Sequence, residues 1–158
     1  MEPAEFAQAA KVIRDSFATV AREFGFTERS FPTYTGFVTT EERLQNHADW
    51  GWWMYGFYDS EKLVGYVSIS KIEDADDAYE LHNLAILPDY RRRGYGKQLL
   101  DFCVAKVREL GGAKIEIGIA EENIMLKDWY AACGFIHTGM KKYDHMPITV
   151  GYMVMELN

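Results

Sequence analysis

One stretch limits the topology of this chain more than any other. Residues 78–87, AYELHNLAIL, read as a mainly apolar strand. Residues 113–120, AKIEIGIA, read as a second, with Ile115, Ile117 and Ile119 alternating. Between them Leu99, Leu100, Cys103, Val104, Val107 and Leu110 recur at helical spacing over 96–110, and Gly111-Gly112 ends the pattern. Two strands joined through a helix are expected side by side and parallel.

The remaining elements arrange themselves around that unit. WGWWMYGFY (50–58) and LVGYVSISKI (63–72) read as strands. The turns DSEK (59–62) and EDADD (73–77) are too short for crossovers, so residues 50–87 are expected as an antiparallel meander. A helix over 4–24 ends at Gly25, residues 26–40 read as a loop, and Thr40 caps a short helix reaching Ala48. A helix over 123–132 stops before Gly134, and 135–142 and 148–157 close the chain as strands. The expected fold class is α/β in a single domain over 1–158. A mixed, mostly antiparallel central sheet carries one parallel pair, with helices on both faces.

Charge narrows the function. The 158 residues carry a formal net charge of −7, which repels phosphate backbones and makes a general nucleic-acid binder a poor reading. It suits cationic or amine-bearing small molecules better. Cys103 and Cys133 are too few for a disulfide framework and read as reduced structural thiols. His47, His82, His137 and His145 show no metal-ligand spacing, so no metal is expected. No apolar run approaches the ~18 residues of a membrane span, and the N-terminal stretch lacks the pattern of a signal peptide. A cytoplasmic protein is the expectation.

Against that acidic background stands DYRRRGYGKQLL (89–100), where Arg91, Arg92 and Arg93 precede Gly94-Tyr95-Gly96 and Lys97. It is not a Walker A loop, because Gly96-Lys97 is followed by Gln98 and Arg91 stands at the first glycine position. It is not a dinucleotide fingerprint either, because Leu99 replaces the third glycine. Glycines that let the backbone turn its N–H groups inward, ahead of a helix N-terminus, still suit a phosphate. A solvated basic turn that caps a helix is the alternative from these residues alone.

Arg91-Arg92-Arg93-Gly94-Tyr95-Gly96, preceded by LAILPDY, resembles motif A of the GNAT acetyltransferase superfamily, [QR]-x-x-G-x-[GA]. A second block, Asn123, Tyr130 and Gly134-Phe135, resembles that family's N-x-x-A-x-x-x-Y-x-x-x-G-F, with Leu126 in place of the usual small residue. The resemblance covers about residues 50–157; the first strand usual in the family is not evident. It implies acetyl-CoA as acetyl donor and a small-molecule or peptide amine as acceptor. It implies that Arg92, Arg93, Gly94, Tyr95, Gly96 and Lys97 cradle the pyrophosphate, with Arg91 packing at the loop entrance or adding charge. Leu84, Ala85 and Ile86 would offer backbone groups to the pantetheine and to the oxyanion. Asn123 would bind the pantetheine, order a water or cap its helix.

Transfer to an amine needs a base, because an aliphatic ammonium titrates near about 10.4. Glu80 is the candidate the resemblance favours, directly or through water. His82, Glu116, Glu121 and Glu122 are the alternatives. Tyr130 is the candidate acid for the departing sulfur. Asp144 and His145 either read an acceptor or fix the turn before Pro147. Phe24, Phe26, Phe31, Tyr34, Phe37, Trp50, Trp52, Trp53, Tyr55 and Tyr143 are divided between the core and an acceptor pocket. A non-catalytic CoA-binding or sensor module of the same fold is the second reading, and a homodimer is possible for the strands near the C-terminus.

Overall fold

The computed structural model describes residues 1–157. Its centre is a six-stranded sheet in the order β1-β2-β3-β4-β6-β5. The strands are β1 (Trp53–Asp59), β2 (Lys62–Lys71), β3 (Ala78–Ile86), β4 (Lys114–Ala120), β5 (Ile136–Lys142) and β6 (Thr149–Glu156). Every neighbouring pair is antiparallel except β3 and β4. Those two are the strands of the expected crossover, joined through α4 (Tyr95–Glu109). No strand precedes β1 among the described residues, so β1 is the sheet's edge.

Two apolar layers cover the sheet. On one face α1 (Phe6–Phe24) and α3 (Glu41–Asp49) pack Phe6, Ala9, Ile13 and Leu44 against Met54, Leu63 and Tyr66. On the other, α4 and α5 (Ile124–Ala132) bring Leu99, Leu100, Cys103, Val107 and Tyr130 against Val67, Ile69, Leu81, Ile115 and Ile117. A sheet that is apolar on both sides must be covered on both sides. That requirement explains why β2 is buried along nearly its whole length.

Helix ends follow the residues that cap them. Gly25 closes α1 in the left-handed region at φ 71° and returns its N–H to the Ala21 carbonyl. Thr40 caps α3 by accepting from the Arg43 amide at 3.1 Å. Asn123 caps α5 by accepting from the Leu126 amide at 3.2 Å.

Three segments depart from the sequence reading. Residues 26–40 are not a plain loop, because Thr35–Val38 form a helical turn, α2. Phe31 and Tyr34 bury there in an aromatic cluster, and the Tyr34 hydroxyl donates to the Phe17 carbonyl at 2.9 Å. β1 begins at Trp53 rather than residue 50: Trp50 closes α3, and Gly51 turns at φ 83°. β5 begins at Ile136, because the Phe135 amide is still engaged by the Tyr130 carbonyl at the end of α5.

Candidate functional site

β3 and β4 pair over only three positions, Ala78 with Lys114, Tyr79 with Ile115 and Glu80 with Glu116. Past Glu80 the strands part, while β4 continues to pair with β6 as far as Ala120. On the β4 side, residues 81–86 therefore border a gap instead of a neighbouring strand, while their other edge stays paired with β2. Unpaired strand amides and carbonyls accept an extended chain with amide groups of its own. Leu84, Ala85 and Ile86, named from the sequence, all lie on this stretch.

The same strand carries a bulge that the sequence reading missed. Tyr66 pairs with Ala85 and Ser68 with His82, so Asn83 and Leu84 together oppose Val67. Asn83 takes φ 54°, in the left-handed region that asparagine tolerates better than most residues. The extra residue flips the alternation of β3. Tyr79 and Leu81 belong to the α4/α5 core before the bulge, and Ile86 and Leu84 belong to it after. Glu80 and His82 are left on the opposite face, beside Ser68 and Ser70 of β2.

The arginine-glycine loop sits at the far end of β3. After a 3-10 turn at Pro88–Tyr90, Arg92 at φ 62° and Gly94 at φ 80° are both left-handed. Left-handed residues in such a turn gather successive N–H groups toward a concavity that suits an anion. Gly94 is also the cap of α4, and the first bond of that helix runs from the Gln98 amide to the Gly94 carbonyl at 3.1 Å. The amides of Tyr95, Gly96 and Lys97 thus lack an intrahelical acceptor. A side chain at Gly94 would meet no heavy atom within 4 Å. At Gly96 it would reach Trp129 at 3.5 Å and Ile86 at 4.0 Å, ordinary packing distances. Free amides over open space fit the diphosphate of a CoA.

The cations divide unequally. Arg91, although exposed, has its guanidinium engaged: it donates to the Ile86 carbonyl at 3.0 Å, Thr19 Oγ1 at 2.9 Å and the Ser16 carbonyl at 2.7 Å. It ties α1 to the end of β3, which is the packing role at the loop entrance rather than a free charge. Arg93 lies 3.5 Å from Asp59 and over the Tyr90 ring at 4.9 Å. Lys97 pairs with Asp101 on α4. Tyr95 sends its hydroxyl to Asp59 at 2.6 Å and stacks on Phe57. Arg92 is exposed and enters no hydrogen bond or ion pair among the described residues. The loop therefore offers mostly backbone donors.

Glu80 sits where the cleft opens. Its side chain is 46% exposed. Burial first, and the Glu116 carboxylate across the ladder second, hold its pKa above the ordinary carboxylate value. Of the alternative bases, Glu121 pairs with Lys127 and lies 2.8 Å from His137 Nε2, beneath Gly151. Glu122 accepts from the Thr149 amide at 2.8 Å. Both carboxylates are spent on the α5 and β6 junctions. His82 is partly buried, and desolvation first and His47 second hold its pKa at about 4, so it is neutral at physiological pH.

Tyr130 lies in the core at 6% exposure, edge-on to Trp129 and Phe135. Burial, with smaller contributions from Cys133 and Cys103, pushes its hydroxyl pKa far up, so it stays protonated. Burial likewise pushes the Cys103 thiol up to about 12, as befits a structural cysteine. Asp144 and His145 lie in the turn between β5 and β6, where the Met146 amide bonds the Tyr143 carbonyl at 3.2 Å. On the same hairpin Tyr143 and Tyr152 share a hydroxyl–hydroxyl bond of 2.6 Å. No His/Cys/Asp/Glu cluster able to hold a metal occurs among the described residues. No described helix is long and apolar enough to cross a membrane.

Comparison with known proteins agrees with this geometry. Over 124 residues the chain is 31% identical to an uncharacterized N-acetyltransferase of Methanocaldococcus jannaschii, covering 70% of this chain and 54% of the relative. It is 30% identical over 81 residues to the uncharacterized N-acetyltransferase YvbK of Bacillus subtilis, covering 51% of each. The chain spans about half the length or less of the first curated relatives it matches. The fold superposes on PaiA N-acetyltransferase of Thermoplasma acidophilum, solved with coenzyme A, at a TM-score of 0.81 and 16% identity. That match covers 99% of this chain and 95% of the other. YncA of Salmonella typhimurium, solved with acetyl-CoA, matches at 0.74 and 14% identity over 100% of this chain and 91% of its own. Residues 17–135 match the model of the acetyltransferase (GNAT) family, and the chain belongs to that family.

Proposed function

We propose that this chain is an acetyl-CoA-dependent N-acetyltransferase whose acceptor is a primary amine, attacking directly in a ternary complex. The observation that carries the reading is the parting of β3 from β4 just beyond Glu80, with the free amides of 95–97 at the far end of β3. One cleft thus joins a candidate base to an anion cradle.

Bound acetyl-CoA would supply an activated thioester; the N–C bond forms as the C–S bond breaks. The amides of Tyr95, Gly96 and Lys97, with Arg92 nearby, hold negative charge at the loop. Backbone groups of Leu84, Ala85 and Ile86 line the cleft where an amide-bearing arm would lie and an oxyanion would need donors. Asn123 keeps its side-chain N–H groups available while its oxygen caps α5. Glu80 takes the proton of the incoming ammonium, and its raised pKa makes it a better base than an ordinary carboxylate. Tyr130, whose hydroxyl stays protonated, donates a hydrogen bond to the departing sulfur, whose thiol form titrates near about 8.5.

The test is thiol release from acetyl-CoA against a panel of primary amines, for the parent and for Glu80→Gln and Tyr130→Phe. Both variants are expected to bind CoA and turn over slowly. Full activity in Tyr130→Phe removes it as the acid. CoA binding with no turnover on any amine favours the non-catalytic module instead.

A further inference from the structure

His82 sits where β2, β3 and α3 meet. Its ring lies flat on Trp52, with centroids 4.1 Å apart and planes 11° from parallel. His47 of α3 stacks on Trp52 at 4.1 Å and 19°. Two rings that close to one indole cannot share a face, so Trp52 is sandwiched between the histidines. At its edges His82 is equally constrained: Nε2 is 2.8 Å from Ser70 Oγ, and Nδ1 is 3.8 Å from Glu80 Oε1.

The chemistry of these neighbours selects one tautomer. A neutral imidazole has one donor and one acceptor nitrogen, and an ionised carboxylate only accepts. A lone pair on Nδ1 would face the Glu80 charge, whereas an N–H there is attracted to it. The Ser70 hydroxyl can donate, so Nε2 accepts from it and Nδ1 carries the hydrogen. Protonation of both nitrogens is opposed by burial and by His47, itself backed by Arg43.

We propose that His82 is a positioning residue for Glu80: clamped by Trp52 and Ser70, it presents its Nδ1–H to the carboxylate and fixes the direction in which that carboxylate points. At 3.8 Å the pair is not yet a hydrogen bond. Glu80 is half-exposed, and about 1 Å of side-chain rotation closes it to the length of a charge-assisted bond. The other groups facing Glu80 act differently. Glu116 of β4 repels its charge, Ser70 is its ladder partner on β2, and the Tyr152 hydroxyl of β6 lies within electrostatic reach. Among them only the His82 N–H comes from a ring whose plane and tautomer are both locked. The proposal rests on Glu80 as the base, but its test does not need turnover.

Asparagine and glutamine separate the two edges of the ring. The asparagine amide nitrogen can stand near the position of Nδ1, and that of glutamine near Nε2. Carboxyl carbon NMR of 13C-glutamate-labelled protein, with Glu80→Gln to assign the signal, gives the titration midpoint of Glu80 in each background. His82→Asn is expected to leave the midpoint near that of the parent. His82→Gln is expected to raise it by about one pH unit, a tenfold weaker acid. A common midpoint for the two variants overturns the proposal, whatever its value. If His82→Gln does not fold, Ser70→Ala takes its place: it unlocks the tautomer and must also raise the midpoint, and an unmoved midpoint overturns the proposal. For any amine that is turned over, the acidic limb of kcat should move in the same order. A split between the midpoints in a protein that acetylates nothing would leave the positioning intact and remove the catalytic reading.

Discussion

The histidine–indole sandwich makes the fold sensitive to acid, and the size of that effect can be worked out. His47 is 3% exposed, and its Nδ1 has no hydrogen-bond partner among the described residues. Burial, reinforced by Arg43, drops its pKa from 6.5 to about 4. The unfolded chain therefore binds a proton on this residue between those values while the folded chain does not. Stability from this source is complete above about pH 6.5 and is lost as pH falls toward 4. Integrating proton uptake from pH 7 to pH 4 gives a loss of about 3 kcal/mol from His47 alone. The perturbation is His47→Phe, which keeps a ring on Trp52 and removes the titrating group. Urea denaturation at both pH values gives the change for each protein. Comparing changes rather than absolute stabilities cancels the packing cost of the larger ring. The parent is expected to lose about 3 kcal/mol more than the variant, with His82 contributing to both. An equal loss in the two proteins would falsify the claim that His47 is folded in its neutral form.

Three further outcomes follow from the geometry. Gly94→Val is expected to abolish CoA binding in calorimetry, because it crowds the cradle and opposes φ 80°; Gly94→Ala should cost about 1 kcal/mol of stability from the backbone alone. Gly151→Ala drives a methyl into the Glu121 carboxylate, which Lys127 and His137 hold in place, so chemical denaturation should show a loss of about 1–3 kcal/mol. Glu80→Gln removes a carboxylate disfavoured by burial and by Glu116, so its melting temperature at pH 7 should match or exceed the parent's while turnover falls. A clear drop in melting temperature would mean that the Glu80 charge stabilises the fold.

The parallel pair, the meander, the caps at Thr40 and Asn123 and the glycine turns were legible because each rests on local chemistry: periodicity, a hydroxyl or amide at a cap, a residue tolerant of positive φ. The geometry of the glycine loop was legible for the same reason, since its turn and its free helix-terminal amides belong to the backbone and its glycines announce them. What stayed hidden depends on partners distant in sequence. Arg91 reads as one of three like cations, yet it is anchored to carbonyls 75 and 5 residues away. His82 reads as a lone histidine until Trp52 and His47 arrive from the segment before β1 and from α3. Glu121 reads as a spare base until Gly151 and His137 close over it. Pairings of this kind leave no period in the chain, so the candidate roles of Glu80 and Tyr130 came from a resemblance and not from the pattern of residues.

Asn83 is the residue on which the site's layout turns. With strict alternation along β3, the face that carries Glu80 and His82 would also carry Leu84 and Ile86, and the α4/α5 core would lose both. The bulge inserts one residue, moves Leu84 and Ile86 to the core face, and leaves Glu80 and His82 on the side of Ser68 and Ser70. It does so at φ 54°, where a β-branched side chain costs about 1–2 kcal/mol and asparagine or glycine costs little. Asn83→Gly should therefore keep the melting temperature within a few degrees and leave CoA affinity unchanged. Asn83→Val should lower stability by about 1–2 kcal/mol and weaken CoA binding, because relief of the strain pulls the ladder back toward regular register and re-aims the amides of 84–86. If Asn83→Val binds CoA as the parent does and loses no stability, the bulge does not depend on the residue at its apex. The geometry of the cleft would then have to be set from β2, where Val67 is the single residue opposite.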